Sequence, residues 1–581
     1  MNSFRNIGMN RALIIALALM LSMYSYAQKK EKEGLPSEEI NVVKPFSPTV
    51  SKANKINIKP EIDSIDLGLK KDIDYSINSI PVASTFAPAK GKAKTLKRVP
   101  KERFYQNFIS AGYGNYSTPI IEVFAHSNSS NSNDFGGFFN LHSSGGGIDD
   151  VVLDDNFTDA RLDLYYKQSE RYFDWKVKGG YDHLSTNWYG LSESINYSEA
   201  VINSIAEKQS YNEVYLGGNI EYFESLIHKG DVDIYQFWDK FNSKETFANI
   251  LGVIDFPIGE ELIYTEMELS FLSGKFENDF LQTDELKYTY FNLGLSPNFE
   301  LLRDDLTLNI GIRLYYSISD SFDGSKFYAY PNITGSYNIS EESLIAYAGV
   351  VGDLQQNSYR DFVEKNPFVS PTLYIQRTNQ QFNGYAGIKG LLNSKIRFNL
   401  KAGYISEKDK PLFKLNPSLT DGSNEVDKGY EAANSFQVVY DDVNTIHFHG
   451  ELIFDLFKEF QFGGNLDFNS YSLNAEEYAW NLPLVTATLL AKYTREKWSA
   501  RADLYFSSDR KDELAIIPNS TQGITNSAYL DLNLSGMYRL SDKFDVFLNL
   551  NNILNQNYQE YSNFKVQGFQ VFAGVKYKFD F

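Results

Sequence analysis

Three side chains that can bind metal ions occupy alternate positions in one stretch of the chain, at His447, His449 and Glu451. Alternate residues of a β-strand project to the same face, so two imidazoles and a carboxylate would lie together if this stretch is a strand. Such a set could bind a transition metal. The same residues also suit a polar wall that holds no ion, which is the simpler interpretation.

A second chemically capable group is a cluster of carboxylates in and just after a Gly-rich segment: Asp149, Asp150, Asp154, Asp155 and Asp159. Carboxylates in a loop could bind calcium, or bridge divalent ions to lipopolysaccharide. The cluster lacks the spacing of an EF-hand, with its Gly and terminal Glu. A solvated acidic loop is the simpler explanation of these residues.

Residues that could support catalysis are also present, at His126, His142 and His183. Each lies near an expected strand end with Ser or Asp close by in the sequence, and a hydrolase needs such neighbours. With six histidines among many Ser and Asp residues, this proximity is expected by chance. The chain also has no Gly-x-Ser-x-Gly motif. We therefore expect a protein that is not an enzyme and needs no cofactor.

Aromatic residues fall at expected borders between strands and loops, as at Trp188, Tyr189, Tyr478 and Trp480. Their rings could stack on the sugar rings of a ligand. Tyr and Trp also collect at membrane–water boundaries, because each ring has an apolar body and a polar edge. The prediction for these residues is an aromatic girdle at the membrane surface, and sugar stacking is the alternative.

The elements that would position these residues are long strands in which apolar and polar side chains alternate. This alternation runs through residues 306–314, 396–404 and 530–536, and it is typical of strands with one apolar face. Charged residues such as Arg313 and Arg397 lie mid-strand. A dry protein interior would not accept them unpaired, but a wet lumen would, with lipid against the opposite face.

The last strand carries the clearest membrane pattern. Apolar or aromatic residues stand at every second position from Phe569 to Phe581. This run is about twice as long as a typical soluble strand of ~5–6 residues, and it is close to the ~9–11 residues that a tilted strand needs to cross a bilayer. An apolar face that ends on an aromatic C-terminus predicts the closing strand of a lipid-facing barrel.

The expected connections between strands alternate between short and long. Tight turns are predicted near residues 303–305, 340–342, 393–394, 457–458, 495–496 and 541–542. Longer polar loops are predicted at residues 145–156, 183–210, 358–379, 407–444, 508–526 and 552–566. Short periplasmic turns and long outer loops are the rule in outer-membrane barrels. The sequence therefore predicts an all-β protein, a transmembrane antiparallel β-barrel of about 22 strands, with both barrel ends on the periplasmic side.

The N-terminal part divides into two segments. Arg5 and Arg11, an apolar run over residues 12–23 and a small-residue end predict a signal peptide over residues 1–27, cleaved between Ala27 and Gln28. Residues 28–104 are rich in Pro and Lys and show no sustained period, so they predict a mostly irregular periplasmic or lumen-filling segment. The barrel is expected over residues 105–581.

Composition excludes several classes of function. The chain has no Cys, which removes disulfides, thiol catalysis and Cys–zinc sites. Its 55 Lys and Arg against 74 Asp and Glu give a net charge of −19. Because nucleic-acid binding depends on Lys and Arg that neutralise phosphates, this acidic balance argues against a nucleic-acid partner.

A family resemblance enters at the C-terminus. The sequence Leu-Asn-Asn-Ile-Leu-Asn-Gln-Asn-Tyr over residues 550–558, followed by the final strand ending Lys578-Phe579-Asp580-Phe581, resembles the last two strands of TonB-dependent receptors. The Tyr- and Asn-rich strands and long loops are similar to members from Bacteroidota. The resemblance implies a 22-strand barrel in the outer membrane of a Gram-negative bacterium, filled by an N-terminal plug, that imports a scarce solute with energy from TonB.

The chain departs from this family in its N-terminal segment. The plug of these receptors is a folded domain of well over a hundred residues, and residues 28–104 are too few and too rich in Pro and Lys to form one. Glu39, Ile40, Val42 and Val43 resemble the short motif that receptors offer to TonB, so the resemblance makes them its candidate contacts.

Two functions remain open at this point. One is a receptor-like barrel for uptake or passage of an unknown small solute, possibly with TonB as partner. The alternative is a plugless structural or assembly partner of other envelope proteins in an outer-membrane complex. Because an open 22-strand pore would leak, we expect residues 28–104 or the outer loops to occlude the lumen. Outer-membrane lipid is the expected environment in both cases.

Overall fold

A computed structural model describes residues 105–580, except residues 131, 259–260, 321–323, 341–342 and 518–519. The compact unit to which the barrel belongs spans residues 98–581. The predicted signal peptide, the Pro- and Lys-rich segment and the candidate TonB contacts Glu39, Ile40, Val42 and Val43 lie outside the described residues.

Twenty-two strands of the described chain form a single antiparallel sheet that closes on itself. Successive strands pair with each other, and the first strand pairs with the last, with Ile109 opposite Tyr577. The barrel strands are β1 (Asn107–Gly114), β2 (Thr118–Ser130), β3 (Asn133–Ser144), β4 (Phe157–Ser169), β5 (Phe173–Asn187), β6 (Lys208–Tyr222), β7 (Ile227–Asp239), β8 (Lys244–Ile258), β9 (Glu261–Phe276), β10 (Leu286–Arg303), β11 (Leu306–Ser319), β12 (Lys326–Ser340), β13 (Leu344–Gln356), β14 (Arg377–Asn393), β15 (Ile396–Leu415), β16 (Phe436–Phe457), β17 (Phe460–Leu473), β18 (Val485–Thr494), β19 (Trp498–Ser507), β22 (Tyr529–Arg539), β23 (Phe544–Asn551) and β26 (Gln570–Phe579). The predicted fold class is thus confirmed.

The remaining described elements lie in the loops. Two small hairpins are formed by β20 (Arg510–Ile516) with β21 (Ser520–Asn526), and by β24 (Gln559–Tyr561) with β25 (Phe564–Lys565). Two short helices are α1 (Glu199–Ser204) and α2 (Tyr359–Lys365). Among the described residues, no helix is long and apolar enough to cross a membrane.

The two faces of the barrel wall have opposite character, because successive side chains of a strand point to opposite faces. On β9, Met267, Leu269 and Phe271 point outward and are well exposed. The outward face also carries exposed aromatics at the rim of short turns, such as Tyr172 and Trp498, which suit a girdle at a membrane surface.

The inward face carries polar and charged side chains, and several of its charges are paired with each other. Arg313 Nη1 lies 3.6 Å from Asp353 Oδ2 and donates a hydrogen bond to the Gly352 carbonyl. Arg397 Nη2 lies 3.2 Å from Asp455 Oδ2. This arrangement confirms the prediction of a wet interior opposite a lipid-facing exterior.

The described connections are short at one rim and mostly long at the other, where only those at residues 115–117 and 240–243 are short, and β1 begins and β26 ends at the short-turn rim. The tight turns lie where the sequence predicts them, for example at residues 304–305 and 394–395. Several long loops are shorter than expected, because β15 continues to Leu415 and β16 begins already at Phe436. Beyond the membrane-facing part of these strands, Leu415, Phe436 and Val438 are buried against the loops, so the simple alternation of lipid-facing and lumen-facing residues ends although the hydrogen-bonded ladder continues. The predicted loop at residues 508–526 is likewise wrong in part, because it holds the β20–β21 hairpin.

Candidate functional site

The long loops meet across the mouth of the barrel and share a hydrophobic core. We call residues 188–207, 357–376, 416–435, 508–528 and 552–569 the mouth loops. Each of them contributes side chains to one buried cluster, which includes Trp188, Phe362, Tyr430, Leu514 and Phe564. Trp188 has no exposed surface at all. Such shared burial makes these loops a folded structure and not independent surface segments.

The loop over residues 357–376 contains helix α2, whose ends are well specified by the sequence. The Ser358 hydroxyl accepts a hydrogen bond from the Asp361 backbone N–H at 3.0 Å, the usual arrangement at a helix start. Asp361 lies in the first turn and Lys365 in the last, where each charge favours the helix dipole. Tyr359 and Phe362 are buried on one side of the helix, which therefore has a face to pack against the barrel.

That face is held by Glu245, a fully buried carboxylate of β8 that points into the lumen. Glu245 accepts hydrogen bonds from the backbone N–H groups of Tyr359 at 2.7 Å and Arg360 at 3.2 Å. It also accepts one from the Tyr288 hydroxyl of β10 at 2.6 Å. The Tyr359 hydroxyl reaches Asp239 Oδ2 at 2.8 Å. The start of α2 is therefore fixed to the inner faces of three strands.

A charged contact ties the same helix to the next part of the wall. Arg360 donates a hydrogen bond to Glu213 of β6 and forms an ion pair with it. The guanidinium also lies 5.1 Å from the ring centroid of Tyr235 on β7. Glu213 is buried whereas Arg360 is partly exposed, and the charge-assisted hydrogen bond fixes the position of the guanidinium on the wall.

The rest of this loop is anchored at its far end. The Tyr211 hydroxyl donates to the Pro367 carbonyl at 2.9 Å, and the Tyr290 hydroxyl donates to the Ile375 carbonyl at 2.7 Å. Tyr211 and Tyr290 both belong to the inward face of the wall. Residues 357–376, which connect β13 to β14, therefore reach across to β6, β8 and β10 inside the mouth.

The last long loop lies against this inserted loop. The Phe564 and Phe368 rings stack with centroids 3.7 Å apart, and the Tyr189 ring lies 5.0 Å from that of Phe564. The Tyr561 hydroxyl donates to the Lys365 carbonyl at 2.8 Å. The described mouth loops thus pack against one another across the mouth, and closure of the lumen by these loops or by residues 28–104 stays a prediction.

The ionisable groups of the mouth loops have shifted pKa values. Burial raises the pKa of the Tyr189 phenol. The Lys565 ammonium, hydrogen-bonded to Glu193 at 2.8 Å, lowers the pKa of that carboxyl. Burial raises the pKa of Asp512, although Leu415 N and Asn481 Nδ2 donate to it at 3.0 and 2.8 Å. Asp512 therefore links the β20–β21 hairpin to β15 through hydrogen bonds in which its carboxyl group is the acceptor.

A cavity of about 790 Å³ lies between the mouth loops and the loop at residues 150–152. Its charged lining residues are Asp150, Glu193 and Lys565, and the last two are paired with each other. Tyrosines, amides and hydroxyls make up much of the rest, including Tyr558 and Asn557. The lining offers many neutral hydrogen-bonding groups to a solute.

The predicted metal-binding residues lie on one face of β16, as expected, and that face is inward. His447 Nδ1 lies 2.8 Å from Asn469 Oδ1, and His449 Nδ1 lies 2.8 Å from Asp467 Oδ1. Within the described residues, no group of three or more His, Asp or Glu side chains is arranged to hold an ion. Each histidine is instead engaged with its neighbour on β17, and metal binding with Glu451 stays a prediction.

The other ionic candidates have local structural partners. Asp155 accepts hydrogen bonds from the backbone of Gly147 at 2.9 Å and Ile148 at 2.8 Å. Gly147 has φ +116°, a conformation that glycine adopts without strain. His126 lies 3.0 Å from Asp134, and His183 lies 2.8 Å from Asn212. These contacts shape the acidic loop and the strand surfaces.

The interpretation of the border aromatics as a girdle is wrong for Trp188 and Trp480. Both are buried beneath the mouth loops, and Lys414 Nζ lies 4.4 Å above the Trp480 ring. Tyr189 packs against Phe564, and Tyr478 alone of the four is well exposed. The error arose because strands extend beyond the membrane, so the border of a strand is not the border of the lipid.

Sequence reasoning missed the residues that fix the inserted loop, above all Glu245 and Arg360. The sequence does contain one indication of helix α2. Ser358 precedes a short run with Tyr359, Phe362 and Val363 on one side, which is a helix start inside a stretch taken as a loop. Glu245 carries no such signal, because its role depends on a partner more than one hundred residues away.

Comparison with known proteins reveals similarity of fold. The sequence matches no protein-family model, and no curated protein is detectably similar to it. The receptor FpvA of Pseudomonas aeruginosa bound to pyoverdine has a TM-score of 0.61 and 12% sequence identity, over 82% of this chain and 72% of that chain. The iron transporter FrpB of Neisseria meningitidis has a TM-score of 0.60 and 10% identity, over 82% of each chain. The ferric enterobactin receptor PfeA of Pseudomonas aeruginosa has a TM-score of 0.57 and 11% identity, over 81% of this chain and 80% of that chain.

The fold is therefore a closed antiparallel barrel of 22 strands of the kind that these three proteins have. With identities of 10 to 12%, the similarity concerns architecture alone. The pyoverdine, iron and enterobactin named for these three structures are ligands of those proteins.

Proposed function

We propose that this protein is an outer-membrane barrel of the receptor type that takes up a solute, with the mouth loops outside the cell. The observation that carries the proposal is the inserted loop. A barrel of 22 strands is wide enough to pass a large solute, and residues 357–376 occupy its mouth through specific contacts to the inner wall. A pathway that is closed by a folded loop fits controlled passage.

The orientation follows from the two rims. Short turns lie on the periplasmic side of outer-membrane barrels and long loops lie outside. We therefore assign the short-turn rim, with the start of β1 and the end of β26, to the periplasm. The 790 Å³ cavity between the mouth loops is then the first site that a solute meets.

Engagement of TonB is the finer part of the proposal. It rests on the sequence stretch Glu39-Ile40-Asn41-Val42-Val43 and on the likeness of the barrel to TonB-dependent receptors. If TonB provides the energy, the substitutions Ile40→Asp and Val42→Asp should abolish uptake while the barrel still folds.

Growth on limiting nutrients tests the proposal. A strain that lacks the gene should grow poorly when one solute is scarce, and the wild-type gene should restore growth. The variant carrying Ile40→Asp and Val42→Asp should fail to restore growth although it reaches the outer membrane in normal amounts. Val50→Asp, a matched change in the same segment, should restore growth fully.

The opposite result would favour the alternative role as a plugless assembly partner. Normal growth of the deletion strain on every limiting nutrient would contradict uptake. Stable co-purification of the wild-type barrel with other envelope proteins, and loss of those proteins from the outer membrane of the deletion strain, would then point to the assembly role.

A further inference from the structure

A row of lysines crosses three neighbouring strands on the outward face of the barrel. Lys244 of β8 lies directly opposite Lys275 of β9, and Lys275 lies opposite Lys287 of β10. We call these three residues the lysine row. The register places their Cβ atoms about 5 Å apart, and all three side chains are exposed. On the other side of Lys244, Lys240 follows the end of β7, and its Nζ donates a hydrogen bond to the Lys208 carbonyl at 3.2 Å.

Like charges directly opposite each other on a sheet reduce its stability, so the row needs an explanation. Glu285 offsets part of the repulsion, since its carboxylate lies 3.5 Å from Lys275 Nζ and 2.6 Å from Lys287 Nζ. Lys244 and Lys208 have no ion-pair partner among the residues that the structure describes. The chain as a whole is strongly acidic, with a net charge of −19, and the β9–β10 loop itself carries Glu277, Asp279 and Asp284, so three lysines in one row of the wall stand out against their surroundings.

The residues below the row reveal its level in the membrane. Two residues closer to the short-turn rim, the outward positions of β8 to β10 are Thr246, Ser273 and Thr289. Two residues further down, they are Ala248, Phe271 and Phe291, and both phenylalanines are well exposed. The outward surface thus changes from apolar to hydroxyl to cationic over three consecutive rows.

This order matches the change from hydrocarbon to headgroups in a bilayer. Rows are ~7 Å apart along a strand, and a tilt of ~40° leaves ~5 Å of height per row. The lysine row therefore stands about 10 Å above the last apolar row, where lipid headgroups lie. Trp238, opposite Lys244 on β7, adds the kind of ring that collects at this level.

We propose that the lysine row binds the phosphate groups of an outer-leaflet lipid. The proposal rests on the orientation given above, with the mouth loops outside the cell. The ammonium groups supply the charge, the hydroxyl row beneath them supplies donors and acceptors for the headgroup, and the apolar row contacts the acyl chains. A phosphorylated glycolipid meets all three rows at once.

Lipid retention by the purified barrel tests this proposal. The protein is transferred to phosphatidylcholine nanodiscs with bisphosphorylated lipid A, and the bound lipid A per barrel is counted by native mass spectrometry. The variant carrying Lys244→Gln, Lys275→Gln and Lys287→Gln should bind at least about tenfold more weakly, because three positive charges that attract the lipid phosphates are removed. Replacing the same three lysines with Arg should preserve binding.

The matched control changes three lysines of the short-turn rim, Lys458→Gln, Lys497→Gln and Lys543→Gln, and it should leave binding unchanged. Wild-type protein should also prefer bisphosphorylated over dephosphorylated lipid A. Unchanged retention in the lysine-row variant, an equal loss in the control, or equal binding of both lipids would overturn the proposal. The assay contains no transported solute, so its failure would leave the uptake proposal standing, and failure of the growth test would leave this result intact.

Discussion

Glu245 determines where the inserted loop lies. Its carboxylate is fully buried, yet it accepts hydrogen bonds from two backbone N–H groups at the start of α2 and from the hydroxyls of Tyr288 and Tyr235. A buried acceptor that serves several donors cannot be removed without leaving those donors unsatisfied. The position of residues 357–376 therefore depends strongly on one side chain of the wall.

Glu245→Ala should loosen the inserted loop. Each buried donor left without a partner costs about 1–3 kcal/mol, so loss of the acceptor for the two α2 N–H groups should weaken the closed arrangement by roughly 2–6 kcal/mol. In planar bilayers the variant should show frequent large conductance openings that the wild type lacks. Glu496→Ala, in a short turn at the other rim, serves as the control and should behave as the wild type. If the Glu245→Ala variant showed no large conductance openings, the other contacts of residues 357–376 would be enough to hold the loop in place.

Asp512 makes the β20–β21 hairpin sensitive to pH. Burial raises the pKa of Asp512 above its usual value of 3.8, so the folded state binds this proton more tightly than the unfolded state. The resulting stabilisation is fully present below pH 3.8 and is lost as pH rises through the folded-state pKa. The Leu415 amide, which donates to Asp512, should therefore exchange hydrogen more readily, after correction for intrinsic rates, above that pKa. The Asn side chain of the Asp512→Asn variant cannot ionise. If Leu415 exchange still changed with pH in this variant, another group would be responsible.

At the scale of elements, the inserted loop and the wall are joined both by side chains and by the backbone. Val369 forms a parallel bridge with Phe436 at the start of β16, and both residues are fully buried. The Ser370 N–H donates to the Phe436 carbonyl at 2.9 Å. If solute is to pass, this junction must open, because residues 357–376 fill the space beside the inner wall.

A disulfide at this bridge should therefore lock the protein. The chain has no Cys of its own, and bridged residues lie within the reach of a disulfide. Val369→Cys with Phe436→Cys should abolish solute uptake when oxidised and regain it after reduction with dithiothreitol. Ala491→Cys with Ala502→Cys, opposite each other on β18 and β19, should cross-link without effect. If the oxidised variant with Val369→Cys and Phe436→Cys still took up solute, the solute would follow a route that avoids this loop.

The wall could be predicted from the sequence, whereas the mouth could not. Within the bilayer each strand obeys one local rule, apolar outward and polar inward, so residues 306–314 already define β11. Beyond the bilayer, the extensions of β15 to Leu415 and of β16 from Phe436 pack against the loops and no longer against lipid, so that rule no longer applies to them. The mouth loops are fixed by contacts between distant residues, such as Trp188 with Tyr430, and no local pattern encodes such a pair.

At the scale of the whole molecule, closure depends on a close approach between the first and last strands. Gly112 of β1 lies opposite Gly574 of β26, and Phe547 of β23 lies opposite Gly574. A Cβ at Gly112 would be 2.8 Å from Phe547 Cζ, so the ring occupies the space above both glycines. An aromatic ring that covers glycines in neighbouring strands supports a sheet where side chains are missing.

Gly574→Leu should therefore prevent closure. Its Cβ would collide with Phe547 Cζ and with the Ala111 carbonyl oxygen, and neither strand can move without breaking the seam. The variant should fail to give the fast-migrating folded band that barrels show on gels before heating. Gly252→Leu, on the outward face with no atom within 4 Å of the added Cβ, should fold normally. A folded band from Gly574→Leu at wild-type yield would disprove this role of the seam.

The same seam sets the order of events during biogenesis. Val571 N donates to Asn115 Oδ1 at 2.9 Å, and the two residues are 456 positions apart in the chain. Contacts of such separation form late, and until they form, β1 and β26 each present an unpaired edge that can capture another strand. The barrel can be completed only after its last residues have been synthesised and exported, so any assembly factor that acts on it must shield two open edges for the whole of that time.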